Sequence, residues 1–136
     1  MYEKSFSLEI IAPDRVLYRD GATSVSAPGV KGGFQILYNH APLLSSLEVG
    51  QLKVKDKNGV DIFFATSGGV LEVRANKVVV LVETAERAKE IDIQRAEAAR
   101  GRAQKRLSRR DENIDVQRAK LALLRALNRH RIAGKT

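Results

Sequence analysis

The chain has 136 residues, no cysteine, and 24 Lys/Arg against 16 Asp/Glu, a net charge of +8. That length suits one domain, or a small domain with an appendage. The lack of cysteine excludes disulfides and thiolate metal sites, and no apolar run reaches the roughly 18–20 residues of a membrane-spanning helix. Met1-Tyr2-Glu3-Lys4 is not followed by the apolar stretch of a secretory signal.

The charge is unevenly placed. Residues 1–85 hold nine basic and nine acidic side chains, whereas residues 86–136 hold fifteen and seven, so the whole excess lies in the last third. All seven aromatics lie within the first 64 residues. Two compositions this different predict two structural units, residues 1–85 and 91–136, joined by a charged linker at 86–90.

The first unit reads as β. Ser5–Ile11 is a short strand ended by Pro13-Asp14, and Thr23–Ala27 is another, ended by Pro28-Gly29. Phe34–Leu37 follows the Lys31-Gly32-Gly33 turn. Leu52 and Val54 alternate with Lys53 and Lys55, the period of a half-buried strand. The turn Asp56-Lys57-Asn58-Gly59 offers an Asn-Gly pair suited to positive φ, so Val60–Ala65 folds back as a hairpin. Beyond Ser67-Gly68-Gly69, Val70–Val73 and Lys77–Val82 make a second hairpin around Arg74-Ala75-Asn76. Short strands with frequent turn signals predict a small antiparallel β-sandwich or flattened barrel.

The second unit reads as an antiparallel two-helix hairpin, so the fold class is α+β. Asp92 is a suitable N-cap for a helix running to about Leu107. Ser108–Asn113 is polar and turn-like, and a second helix runs on to about Ile132, with Gly134 as its stop. Ala96, Ala99 and Ala103 share one face of the first helix, and Ala119, Ala122 and Ala126 share one face of the second. Such a seam allows close approach but buries only about 0.8 kcal/mol per methyl. Gly101, inside the first helix, costs about 1 kcal/mol relative to alanine. The hairpin is therefore marginal, and Leu123, Leu124 and Leu127, on another sector, need cover.

A six-residue phrase occurs twice in this unit. Ile91-Asp92-Ile93-Gln94-Arg95-Ala96 returns as Ile114-Asp115-Val116-Gln117-Arg118-Ala119. Each copy puts an acid and an arginine at a helix start. At about 100° per residue, Arg118, Arg125 and Arg129 fall within about 40° of one another. Arg95 and Arg102 form a similar row on the first helix, and an antiparallel hairpin brings Asp92 and Arg95 near Arg125 and Arg129. Two readings stand: solvated faces of basic helices, or guanidinium forks around a polyphosphate.

Other chemistries find less support. His40 and His130 lie in different units, and no nucleophile triad or metal-ligand spacing occurs. Gly29, Gly32, Gly33, Gly68 and Gly69 sit between strands without a phosphate-loop pattern. A basic hairpin could serve nucleic acid, but it has no aromatic for base stacking and its charges alternate with Glu97, Asp111, Glu112 and Asp115.

Four stretches taken in order resemble the epsilon subunits of bacterial F-type ATP synthases: Ser24-Val25-Ser26-Ala27-Pro28-Gly29, Asn39-His40-Ala41-Pro42-Leu43-Leu44, Ser67-Gly68-Gly69-Val70-Leu71-Glu72-Val73 and Glu83-Thr84-Ala85-Glu86-Arg87-Ala88. The resemblance spans essentially the whole chain. It implies a non-catalytic regulatory subunit of the central stalk, peripheral on the cytoplasmic face of the cell membrane. Its sandwich would bind the gamma subunit and sit on the c-ring. The loop 32–40, with Gly32, Gly33 and His40, matches the ring-facing region, although Gly33, Gln35 and Tyr38 depart from the family's frequent acidic residue, glycine and proline there. The helices are implied to be a switch. Folded down, they permit ATP hydrolysis; extended, the basic helix with Arg118, Arg125 and Arg129 reaches acidic segments of the alpha and beta subunits and blocks it.

A subset of that family binds ATP as a regulatory ligand through a motif Ile/Leu-Asp-x-x-Arg-Ala, which Ile91, Asp92, Arg95 and Ala96 match. Glu86, Arg102, Arg125 and Arg129 match the positions that complete the site. The resemblance implies that Glu86, Ile91, Asp92 and Ala96 surround the adenine and that the arginines handle ribose and phosphates. A purely structural coupling role remains as a second reading of the same family.

Overall fold

The structure is a computed structural model that describes residues 4–91, 93–108, 116–133 and 135. The expected N-cap Asp92, the turn 109–113, Asp115 and Gly134 lie outside the described residues.

Alternation builds the sandwich. In β1, Phe6–Ala12, the side chains of Phe6, Leu8, Ile10 and Ala12 are buried while the residues between them reach outward. β2 is longer than its sequence pattern suggests, running Arg15–Ala27. Its first half pairs with β1, and its second half pairs with both β3, Phe34–Ile36, and β5, Gly50–Asp56. Irregular register near Ile10/Ile11 and Ala22/Ser24 lets it bend from one layer into the other. β4, Leu43–Leu47, was not anticipated. β6, Asp61–Thr66, β7, Gly69–Arg74, and β8, Lys77–Val82, fall where the two hairpins were expected.

With the short β9, Ala85–Arg87, the strands form one folded sheet in the order β4-β7-β8-β1-β2-β5-β6-β9, with β3 beside β2. One pair departs from the antiparallel expectation, since β1 lies parallel to β8, Ser7 opposite Lys77 through Ile11 opposite Leu81. A parallel neighbour needs a long connection, and here the intervening chain supplies it. The inward faces close a core that includes Leu8, Ile10, Ile36, Leu52, Phe64 and Leu71.

Turn chemistry differs between the two hairpins. Only Gly59 takes positive φ (81°) in the first, and the Asp56 carboxylate accepts from the backbone N–H of Asn58 (2.8 Å) and of Val60 (2.9 Å). The second closes with both Ala75 (φ 50°) and Asn76 (φ 59°) left-handed, the signature of a two-residue hairpin turn. Asn76 offsets that strain by accepting from the Asn39 N–H at 2.7 Å and donating to the Ser5 carbonyl at 3.1 Å. Gly69 is required by close approach, because a Cβ there would sit 2.0 Å from the Leu81 carbonyl oxygen.

The charged stretch 86–90 belongs to the sandwich rather than lying between units. Ala85–Arg87 forms β9 on β6, and Ala88–Glu90 forms a single 3-10 turn. Beyond it come α1, Ile93–Ser108, and α2, Val116–Ile132. Ala96, Ala103, Ala119 and Ala126 are buried along the seam between them. The Nε2 of His130, near the end of α2, lies 2.6 Å from the Glu97 carboxylate near the start of α1, so the helices are antiparallel. α2 packs on β5 and β6. There Ile132 joins Ala65, Ala88 and Ile91 in a second apolar cluster. Leu124 (50 % exposed) and Leu127 (39 %) remain on the open side of α2, and Leu123 is half-buried.

Candidate functional site

Helix geometry decides where the arginines point. On α1, Glu97 lies to one side of the alanine seam and Arg95 and Arg102 to the other; on α2, His130 lies to one side and Arg118, Arg125 and Arg129 to the other. The Glu97–His130 contact brings the first two flanks together. The opposite edge of the hairpin therefore carries all five arginines. Because the sector of α2 holding Asn128 and Ile132 rests on the sandwich, that edge forms a notch. Its walls are Arg125 and Arg129 of α2 and the β6–β9 edge; helix geometry puts the arginines of α1 on the same flank of the hairpin.

Glu86, on β9, supplies the acid of this notch. Arg129 Nε lies 2.7 Å from its Oε1, and Arg129 Nη2 donates to its Oε2 at 3.1 Å. Both side chains are about two-thirds buried (30 % and 32 % exposed). Arg125 borders the same place, and beneath lies a cavity of about 30 Å³ walled also by Thr66, Ser67 and Thr84. That volume suits about two waters. The hydroxyls of Ser67 and Thr84 tie the floor together: Thr84 Oγ1 donates to Ser67 Oγ at 2.7 Å, and the Thr84 N–H donates to the same oxygen at 3.1 Å.

The structure thus brings together Glu86, Arg125 and Arg129 of the eight residues expected around a nucleotide. Ile91 is buried beside them in the second apolar cluster, and Ala96 is buried in the seam. Arg95 and Arg102 have exposed side chains on the α1 flank. Asp92 lies outside the described residues. The sequence reading missed Ser67, Thr84 and Asn128. Ser67 and Thr84 belong to phrases that signalled the family, but their meeting across 17 positions is a product of the sheet.

The expected ring-facing residues lie on either side of β3. Gly32 (φ 125°) and Gly33 belong to the turn before it, and His40 follows it, with Nδ1 2.6 Å from the Ala41 carbonyl oxygen. Val30 (56 % exposed), Leu37 (53 %) and Tyr38 (45 %) leave the region apolar as well as open. Among the described residues no cluster of His, Cys, Asp or Glu is arranged to hold a metal ion.

Two family models match in succession. Residues 5–88 match the β-sandwich domain of the ATP synthase delta/epsilon chain, and residues 89–134 match its long α-helix domain. The chain belongs to the ATP synthase epsilon-chain family. It is 48 % identical over 135 residues to the ATP synthase epsilon chain of Syntrophomonas wolfei, an alignment covering 99 % of this chain and 98 % of that one. It is 47 % identical over 132 residues to the epsilon chain of Nitratidesulfovibrio vulgaris, covering 97 % and 98 %. Among solved structures, a chain of the Euglena gracilis mitochondrial ATP synthase superposes with a TM-score of 0.78 at 20 % identity, covering 88 % of this chain and 76 % of that one. A chain from the central stalk and c-ring of the Tetrahymena thermophila enzyme does so with 0.58 at 18 %, covering 97 % and 96 %. These two likenesses speak to the fold. Family membership makes the chain a non-catalytic stalk subunit of an F-type ATP synthase.

Proposed function

We propose that this subunit couples the catalytic head to the rotor ring and senses ATP through its helical hairpin. In this reading the sandwich binds the gamma subunit and the c-ring at the cytoplasmic face of the cell membrane, without entering the bilayer. The apolar Val30, Leu37 and Tyr38 beside Gly32, Gly33 and His40 suit a proteinaceous ring. The outer face of β4, β7 and β8, with Leu44, Val70 and Leu81 exposed, suits gamma. When the hairpin extends, Arg118, Arg125 and Arg129 meet acidic segments of alpha and beta, and hydrolysis stops.

The observation that carries ATP sensing is Glu86 paired with Arg129 beside Arg125, on the flank to which helix geometry also assigns Arg95, Arg102 and Arg118. A polyphosphate bridging the flanks would hold the two helices together and down. The nucleotide's place is the open notch, since the cavity beneath it is too small. At 100 times its Kd a ligand stabilises the competent state by about 2.7 kcal/mol, which is comparable to the few methyls of the alanine seam. Calorimetric titration of the isolated chain with ATP, ADP and GTP tests the site. ATP should release heat that falls at least tenfold in affinity for Arg95→Ala and Arg125→Ala. Equal binding of GTP, or unchanged binding by both variants, would remove the specific site.

The second reading, structural coupling without nucleotide sensing, draws on the docking contacts themselves. Asn128, Ile132 and the Glu86–Arg129 pair hold α2 to the sandwich through protein groups alone. A hairpin equally docked with and without ATP would favour it.

A further inference from the structure

Among the described residues, the most deeply placed polar side chain of the helical hairpin is not an arginine but Asn128, which also borders the small cavity beneath the notch. Asn128 is 6 % exposed in the contact of α2 with β5 and β6. Its Nδ2 donates to the Gly50 carbonyl at 2.8 Å and reaches the Thr66 carbonyl at 3.5 Å. Gly50 and Thr66 are the terminal pair of the β5–β6 ladder. Its Oδ1 accepts from Arg131 Nη2 at 2.9 Å. The amide's orientation is forced, because carbonyls can only accept and a guanidinium can only donate.

We propose that Asn128 is the register key of the docked hairpin. The rest of this contact is the apolar cluster around Ile132, which tolerates sliding, and two polar contacts, Glu86–Arg129 and Lys135–Gln51, made by long side chains able to follow a shift. A shift of α2 by one turn, about 5.4 Å, would bring Leu124 or Ile132 opposite the two carbonyls. Neither can donate, so each would bury the outward side of these ladder carbonyls against methyl groups with no hydrogen bond to it, which is unfavourable. Of residues 124, 128 and 132, which share this face of α2, Asn128 is the one with a side-chain donor. A buried amide that fixes alignment in this way resembles the single asparagine that sets register in a coiled-coil core. The same group makes release inexpensive. Once α2 lifts away, the amide and both carbonyls bond to water, so little net energy is lost. Asn128 thus selects one docked position without locking it. This holds whether or not the notch takes a nucleotide.

The test uses the full chain with no nucleotide present, so its outcome is separate from the fate of the ATP site. The absence of native cysteine allows spin labels at Asn58→Cys, in the β5–β6 turn, and Lys120→Cys, on the exposed side of α2. Pulsed spin-resonance distances in the parent should show one narrow population. Asn128→Leu, close in volume, should give added populations displaced by about 5 Å or more. Asn128→Asp keeps shape and the Arg131 contact but sets carboxylate against carbonyl, and it should move most of the population away from the parent distance. If Asn128→Leu does not fold, Asn128→Asp carries the test alone. A single unshifted distance in the variants, or several distances already in the parent, would overturn the proposal.

Discussion

Glu86 and Arg129 stand 43 positions apart and meet because β9 places one and the last turns of α2 place the other. The pair joins the two units directly. Exposed ion pairs contribute little, and this one is shielded only in part, so its coupling should stay near the upper end of the surface range, about 1 kcal/mol. A double-mutant cycle of Glu86→Gln and Arg129→Gln, read by hydrogen exchange of α2, should return that value. A coupling of zero would mean that the pair follows docking rather than supporting it. At this scale the arginines and Glu86 were legible in the sequence because charge and the family motif marked them. Asn128 was not, since one asparagine among basic residues carries no pattern; its importance comes from the two ladder carbonyls, 78 and 62 positions away, that the fold sets against it.

At the scale of elements, legibility followed periodicity. β7 and β8 alternate cleanly and close on a short turn, and both helices show their alanine faces. β4 hid because Leu-Leu-Ser-Ser-Leu follows no binary rule, with Leu44 left 71 % exposed. The first half of β2 hid because Arg15, Arg19 and Asp20 interrupt its apolar residues. β9 hid because three residues, two of them charged, resemble a linker until the β6 edge recruits them. The helices carry a prediction of their own. A Cβ added at Gly101 would meet nothing within 4 Å, and the backbone there is helical. Gly101→Ala should therefore stabilise α1 by about 1 kcal/mol, slowing exchange of its amides roughly fivefold. Faster exchange would show that the glycine serves a purpose beyond helix stability.

For the whole molecule, the boundary between sandwich and hairpin matters to any experiment that removes the hairpin. Ala85, Ala88 and Ile91 are all buried against the sandwich side. A chain ending at residue 85 loses most of β9, whereas one ending at residue 91 keeps it. The longer form should melt higher by about 4–8 °C per kcal/mol retained, as followed by circular dichroism. Equal melting points would mean that β9 adds nothing to the sandwich. The longer form is also the fair test of the brake: reconstituted with it, the synthase should hydrolyse ATP faster, and persisting latency would place the block elsewhere. The parallel β1–β8 seam has a further consequence during synthesis. β1 finds β2 almost at once, but its other edge waits until residues 77–81 exist, about 70 residues later. At translation rates of roughly 5–20 residues per second, that edge stays open for several seconds. The sandwich is thus the late-closing, aggregation-exposed part of the nascent chain, and a chaperone that shields its first hairpin would serve this subunit before any stalk exists to receive it.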